Sequence, residues 1–183
     1  MPYEAALAKA WDETDRLTDP IPHSVALLGD TYEVDVNQRR IYSLSCNVPA
    51  KDFLAILLLH YLAGLVKNCY SPSGEWVSFK DIESGEIYYP AFREGAINPI
   101  IRKYGRNPEA LLEALKRFSG KKVSEGDVGI EIGTFDNITV KIILWKADEE
   151  FGPEATMLFD RNLTRIFSME DITVFLRLVA HSI

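Results

Sequence analysis

The chain has 183 residues, with 20 Lys plus Arg against 27 Asp plus Glu, a formal net charge of −7 at pH 7, and 47% hydrophobic and 11% aromatic residues. The apolar content excludes a disordered chain, and the negative balance lacks the basic surface of a dedicated nucleic-acid binder. The 2 cysteines cannot build a disulfide framework. The length favours one domain over residues 1–183, large enough to fold without metal or disulfide. Met1 to Thr18 has no basic segment leading into an apolar core and a cleavage site. The longest apolar stretch, Phe53 to Val66, is shorter than the roughly 20 residues that span a bilayer. The sequence therefore predicts a cytoplasmic protein with no membrane segment, in which Cys46 and Cys69 are inert thiols.

Taken in chain order, residues 1–18 hold an N-terminal amphipathic helix, Pro2 to Leu17, with Ala6, Leu7, Ala10 and Trp11 toward the core. Two prolines between Asp19 and His23 break it. Tyr32, Val34 and Val36 alternate with acids, and Tyr42, Leu44 and Cys46 follow on one face beyond Asn37 and Gln38, which predicts a hairpin. Pro49 suits the first turn of a helix running to about Val66. That helix is apolar on every side, the mark of an element buried all round. Asn68 to Glu75 reads as a loop, and Trp76 to Ile82 as a short strand. Tyr88 to Gly105 reads as two helical pieces interrupted near Asn98 and Pro99. A further helix starts at Asn107 and Pro108 and is ended by Gly120. Val128 to Trp145 alternates strongly, with Asp136 and Asn137 as a two-residue turn chosen for tolerance of positive φ. Ala155, Met157 and Phe159 predict a strand, and Ser168 with Asp171 a capped closing helix. Strands in adjacent pairs predict an α+β fold: a mainly antiparallel sheet, a buried central helix, and helices packed on one face.

His60 interrupts the apolar run Phe53 to Val66 of the central helix. An imidazole there could serve as a metal ligand or acid–base group, or be a core histidine bonded to a carbonyl. Gly64, one turn on, could admit a ligand or a second backbone. Cys69 lies on a loop with only Lys67 to depress its pKa. Asp148, Glu149 and Glu150, joined by Glu154 and Asp160, form a candidate acidic site for an oxygen-bound divalent cation or for divided acid and base roles. Their spacing fits no calcium loop, and a solvated turn is the plainer expectation. Residues 147–171 contain 7 acids against Arg161 and Arg165, while residues 93–122 contain 8 bases against 3 acids. Trp76, Phe79, Tyr88, Tyr89 and Phe92 could line a pocket or form a core ridge. No nucleophile elbow, phosphate loop or zinc-ligand motif is present in the sequence.

Four segments in order resemble a known family. They are Ile56 to Leu62, Gly74 to Asp81, Ala147 to Phe151 running on to Met157 to Asp160, and Ser168 to Ile172. Together they resemble the prokaryotic family catalogued as domain of unknown function 3786, over about Leu27 to the C-terminus. Phe151-Gly152-Pro153 departs from the family's more usual Phe directly before Pro. The resemblance implies a cytosolic protein of anaerobes, near iron–sulfur or corrinoid proteins, with no assigned reaction and no established catalytic residues. Having no cysteine cluster, the chain is expected to hold no cofactor itself.

His60, Tyr61, Trp76, Phe79 and Asp81 are the candidate pocket if these segments converge. The leading expectation is a non-catalytic accessory domain that binds a small ligand or a protein partner. The alternatives are a small carboxylate-dependent enzyme, with or without a divalent metal, and a structural subunit using the Tyr88 to Phe92 surface. No nucleic acid or membrane partner is expected, and the oligomeric state is left open.

Overall fold

Alternation of apolar and polar side chains over residues 128–160 builds the centre of the molecule. Val128, Ile130, Ile132, Ile138, Val140, Ile142, Leu144, Ala155, Met157 and Phe159 are all buried, whereas Glu131, Thr139, Lys141, Thr156 and Leu158 are half-buried. The computed structural model describes residues 3–68 and 70–183. In order these form α1 (Glu4–Leu17), β1 (His23–Leu27), β2 (Asp30–Asp35), β3 (Arg40–Ser43), β4 (Val48–Pro49), α2 (Asp52–Asn68) and β5 (Trp76–Ser78). There follow α3 (Gly85–Phe92), α4 (Asn98–Tyr104), β6 (Gly120–Val123), β7 (Val128–Phe135), β8 (Ile138–Trp145), β9 (Glu154–Asp160) and α5 (Met169–Ser182). The strands make one nine-stranded sheet in the order β4-β3-β2-β1-β7-β8-β9-β5, with β6 also on β7. Every pairing is antiparallel. With five α-helices beside it, the fold is α+β as the paired strands predict.

The central helix is α2. Leu57, Leu58, Leu59, Tyr61, Leu62 and Ala63 are buried, and only its last turn emerges, at Val66. Tyr61 stacks on Phe135 of β7 with ring centroids 4.2 Å apart. Phe167, just before α5, and Phe175 of α5 complete the aromatic cluster that ties α2 and α5 to the sheet. Helix α1 runs along α2. Its Thr14 is fully buried there, and the hydroxyl donates to the Ala10 carbonyl at 2.9 Å.

Several sequence expectations are corrected. Pro2 and Cys69 lie outside the described residues; α1 is seen from Glu4. Pro49 belongs to the two-residue strand β4, and α2 begins at Asp52. In β3 the buried residues are Ile41 and Ser43, not Tyr42; Leu44 and Cys46 lie beyond the strand and are exposed. Strand β1 follows the proline pair directly. Beyond β5, Phe79–Asp81 is a 3-10 turn. Pro108–Lys116 is a 3-10 helix, and Gly120 opens β6.

The β7–β8 connection uses Asp136 and Asn137, but neither has positive φ. The register shifts between Gly133 and Phe135 instead, and this bulge supplies the twist that a primed turn would otherwise give. The interruption in the α3–α4 region falls at Arg93–Ile97, a π-type turn, rather than at Asn98 and Pro99. The Asn98 N–H donates five residues back, to the Arg93 carbonyl, and Pro99 has no N–H to continue the α ladder. The Arg177 guanidinium of α5 lies against this turn and donates to the Ala91 carbonyl at 2.8 Å. A Cβ at position 95 would lie 2.2 Å from Arg177 Nε, so the guanidinium would have to move aside.

Asp160 ends β9 and is 7% exposed. Its carboxylate accepts from the Ser73 N–H and Oγ, the Gly74 N–H and the Asn162 N–H, at 2.8 to 3.0 Å. It thereby pins the loop before β5 to the end of β9. Burial pushes this carboxyl up, but the bonds from Ser73, Asn162 and Gly74 outweigh burial and hold it below its ordinary 3.8. Asp160→Ala is expected to cost about 2–4 kcal/mol in urea unfolding, because several donors lose their acceptor together. The native carboxylate's contribution is complete above the ordinary value and is lost as pH falls through the lower folded one. The difference between wild type and Asp160→Ala should therefore shrink in acid, and a constant difference from pH 7 to pH 2 would refute this account.

Candidate functional site

Three helices and a loop border an open cavity of about 430 Å³. From α1 come Ala6, Lys9 and Glu13, spaced three and four residues apart and so on one face. From α2 come His60, Ala63, Gly64 and Lys67, with the same helical periodicity. Arg165 and Ile166 enter from the turn before α5, and Ser168 and Asp171 from its start. The floor is open because Ala6, Ala63 and Gly64 are small. Gly64 is required by backbone approach: a Cβ there would lie 2.6 Å from Ile166 Cβ and 2.8 Å from its carbonyl oxygen. Of the two roles considered for Gly64, the structure shows the close approach of a second backbone.

His60 is partnered by a carboxylate, not a carbonyl. Its Nδ1 lies 2.7 Å from Asp171 Oδ1, with the imidazole about one-third exposed. Nδ1 donates to the carboxylate, so Nε2 is the ring nitrogen left to meet anything in the cavity. Asp171 is held in turn by a capping box. Its Oδ2 accepts from the Ser168 N–H at 3.1 Å and Oγ at 2.8 Å, and its own N–H donates to Ser168 Oγ at 3.1 Å. One carboxylate thus fixes the start of α5 and orients the histidine. The Asp171 hydrogen bond raises the His60 pKa above its ordinary 6.5, outweighing partial burial. Across the cavity, Lys67 forms an ion pair with Glu13, and that hydrogen bond holds the Glu13 carboxyl below its usual range.

The five residues of the candidate pocket occupy different places. His60 lines the cavity just described. Tyr61, its neighbour, is 2% exposed in the core, where burial pushes its phenol up to about 12. Trp76 lies on β5 beneath the Lys141 ammonium, 4.5 Å from the ring centroid. Phe79 is buried and stacked on Phe92 at 4.1 Å. Asp81 caps its own turn by accepting from the Ser78 N–H and Oγ, both at 2.7 Å. It lines a second cavity of about 470 Å³ with Arg161, Phe167 and Ile172. Ser168 borders both cavities, so the start of α5 is the wall between them.

The acidic candidates also separate. Asp148 accepts from the Glu150 and Phe151 N–H groups at 2.8 and 2.7 Å, closing a local turn in which Glu149 and Glu150 are exposed. Glu154 makes a two-bond pair with Arg93 at 2.9 and 2.8 Å. Asp160 is committed to the loop staple. Among the described residues, no three His, Cys, Asp or Glu side chains are grouped to hold a metal ion. No described helix is long and apolar enough to cross a membrane.

Lys9, Glu13 and the orienting role of Asp171 have no counterpart in the sequence reading, and Arg165 enters it only as a charge in the 147–171 stretch. The available signals were the Lys9/Glu13 and His60/Lys67 spacings on adjacent helices, and a capping aspartate with a second oxygen to spare.

The His60–Asp171 pair carries a pH signature. The folded pKa is raised, so the extra stability of the charged pair is fully present below the unfolded value of 6.5 and is lost as pH rises through the folded value. The stability advantage of wild type over His60→Gln should decline over that window. An NMR titration should give His60 a midpoint above 6.5, and Asp171→Asn should bring it down. A midpoint unmoved by Asp171→Asn would rule out this coupling.

A family model described as Domain of unknown function (DUF3786) matches residues 13–182. The match begins within α1, ahead of the Leu27 boundary suggested by the sequence segments, and so includes Glu13. No curated protein and no solved structure matches the chain.

Proposed function

The chain belongs to the DUF3786 family, and from that premise we propose that it is a non-catalytic accessory domain in the cytoplasm of a prokaryote. Its ligand occupies the cavity between α1, α2 and the start of α5, and it serves an iron–sulfur or corrinoid protein of anaerobic metabolism. Any such cofactor belongs to the partner.

One observation supports this reading above the others. The ionisable side chains Lys9, Glu13, His60, Lys67, Arg165 and Asp171 converge on a cavity floored by small residues. Its volume falls within the range of small-molecule sites. Pre-positioned polar groups around open space suit recognition, and the doubly held Asp171 keeps His60 in one orientation. The corresponding acid–base chemistry supports a second reading, in which His60 Nε2 moves a proton on a bound substrate. The acidic run lends that second reading no support: Asp148, Glu154 and Asp160 are bonded elsewhere, and Glu149 and Glu150 lie exposed on a turn that does not line the cavity.

Ala6 is exposed and lines the cavity, so Ala6→Trp should fill it while changing stability by no more than about 0.5 kcal/mol. Native mass spectrometry of protein recovered from its own cell extract should show a small-molecule adduct on wild type that Ala6→Trp lacks. The same extract should yield a recurrent iron–sulfur or corrinoid partner. Repeated recovery of neither adduct nor partner would overturn the proposal. An activity abolished by His60→Gln without unfolding would establish the second reading instead.

A further inference from the structure

We propose a second binding site, for one uncharged planar ring with a polar edge, in the cleft between α3 and the place where β8 ends and β9 begins. A cavity of about 320 Å³ opens there and shares no lining residue with the cavity beside His60. It stands at the small end of the range for ligand sites, the scale of a single ring system. Part of the aromatic-rich segment noted in the sequence lines it. Phe79 and Phe92, buried and stacked, border it with a fixed apolar surface. Tyr89 is half-buried and tilted against Phe92, with ring centroids 6.1 Å apart. Trp145, from the end of β8, lines the same space and is 40% exposed. A flat ring is the guest that aromatic walls cover best. Arg93 and Ile97, the first and last residues of the π-type turn, also line the cleft. Such turns are rare within α-helices and recur at functional sites.

The charges of the lining select against an ionic guest. Glu154 accepts both Nη groups of Arg93 and the Ala155 N–H, so each member of that pair is committed. Lys80 is exposed, and its ammonium lies 4.1 Å from the centroid of the Tyr89 ring. A cation would find no open carboxylate, and an anion only that one exposed lysine. The polar group left for a ligand is the Thr156 hydroxyl, which has no hydrogen-bond partner among the described residues. It can accept from, or donate to, the edge of a ring.

NMR titration of the nitrogen-labelled full chain with indole tests this. The Trp145 side-chain N–H and the Thr156 amide should shift saturably, while the Trp11 and Trp76 side-chain signals stay in place. Trp145→Ala should weaken binding about fivefold, the scale of one aromatic contact. Thr156→Val should weaken indole about threefold and leave N-methylindole, which lacks the ring N–H, unchanged. Lys80→Ala should preserve or strengthen indole binding, because it vacates the Tyr89 ring. Ala6→Trp, which fills the cavity beside His60, should have no effect, so the two sites stand or fall separately. Indoleacetate binding tighter than indole and lost with Lys80→Ala would show an anion site and overturn the inference. Tighter tryptamine would show a cation site and overturn it equally. Shifts that do not saturate, or that gather beside His60, would remove the site.

Discussion

Asp171 is the carboxylate on which the arrangement of helices and site depends. Its two oxygens face two tasks. One closes the first turn of α5 through Ser168, and the other reaches back to His60 in the middle of α2. The group is 9% exposed, so its charge must be fully met by donors, and the start of a helix is a favourable place for it. A histidine at the helix centre would otherwise be a costly polar insertion. The pair turns that cost into a cross-link between segments far apart in the chain, and it sets the wall against which both cavities form.

The same economy runs through the other acids. Asp160 joins the loop before β5 to the end of β9, Asp81 closes a 3-10 turn, Asp148 folds its own turn and Glu154 grips Arg93. Asp148, Glu154 and Asp160, which read in sequence as part of a candidate metal site, are spent on backbone N–H groups, the Ser73 hydroxyl and the Arg93 guanidinium. Carboxylates suit this work because a single group can accept from several donors at once.

Periodicity made much of the fold legible. The β7–β8 hairpin, β9, α1, the buried α2 and the capped α5 follow from alternation, from helical spacing and from Ser168 with Asp171. The misses have physical reasons. Strand β6 reads Gly-Lys-Lys-Val and carries no alternation; it exists because β7 offers it backbone partners. Strand β1 hides behind Pro20 and Pro22. The π-type turn depends on which N–H groups are missing, and the bulge at Thr134 on twist, neither of which apolar spacing encodes. His60 stood out in sequence as the polar residue of an apolar helix, but Asp171 is 111 positions away and nothing local marks it as the partner. Pairwise contacts at that separation are products of the fold, and so is the meeting of Lys9, Lys67 and Arg165.

The margins of the sheet have a consequence for assembly. It ends in β4, two residues long, and β5, three residues long, and β6, the additional strand on β7, presents Lys121 and Lys122. Such margins offer little free backbone to a neighbouring chain and meet it with charge. Growth by strand addition, the common route to fibres and to β-augmented complexes, is thereby discouraged at these borders. Contacts between copies of the chain at these borders would have to come from side chains, through shape and charge rather than main-chain hydrogen bonds.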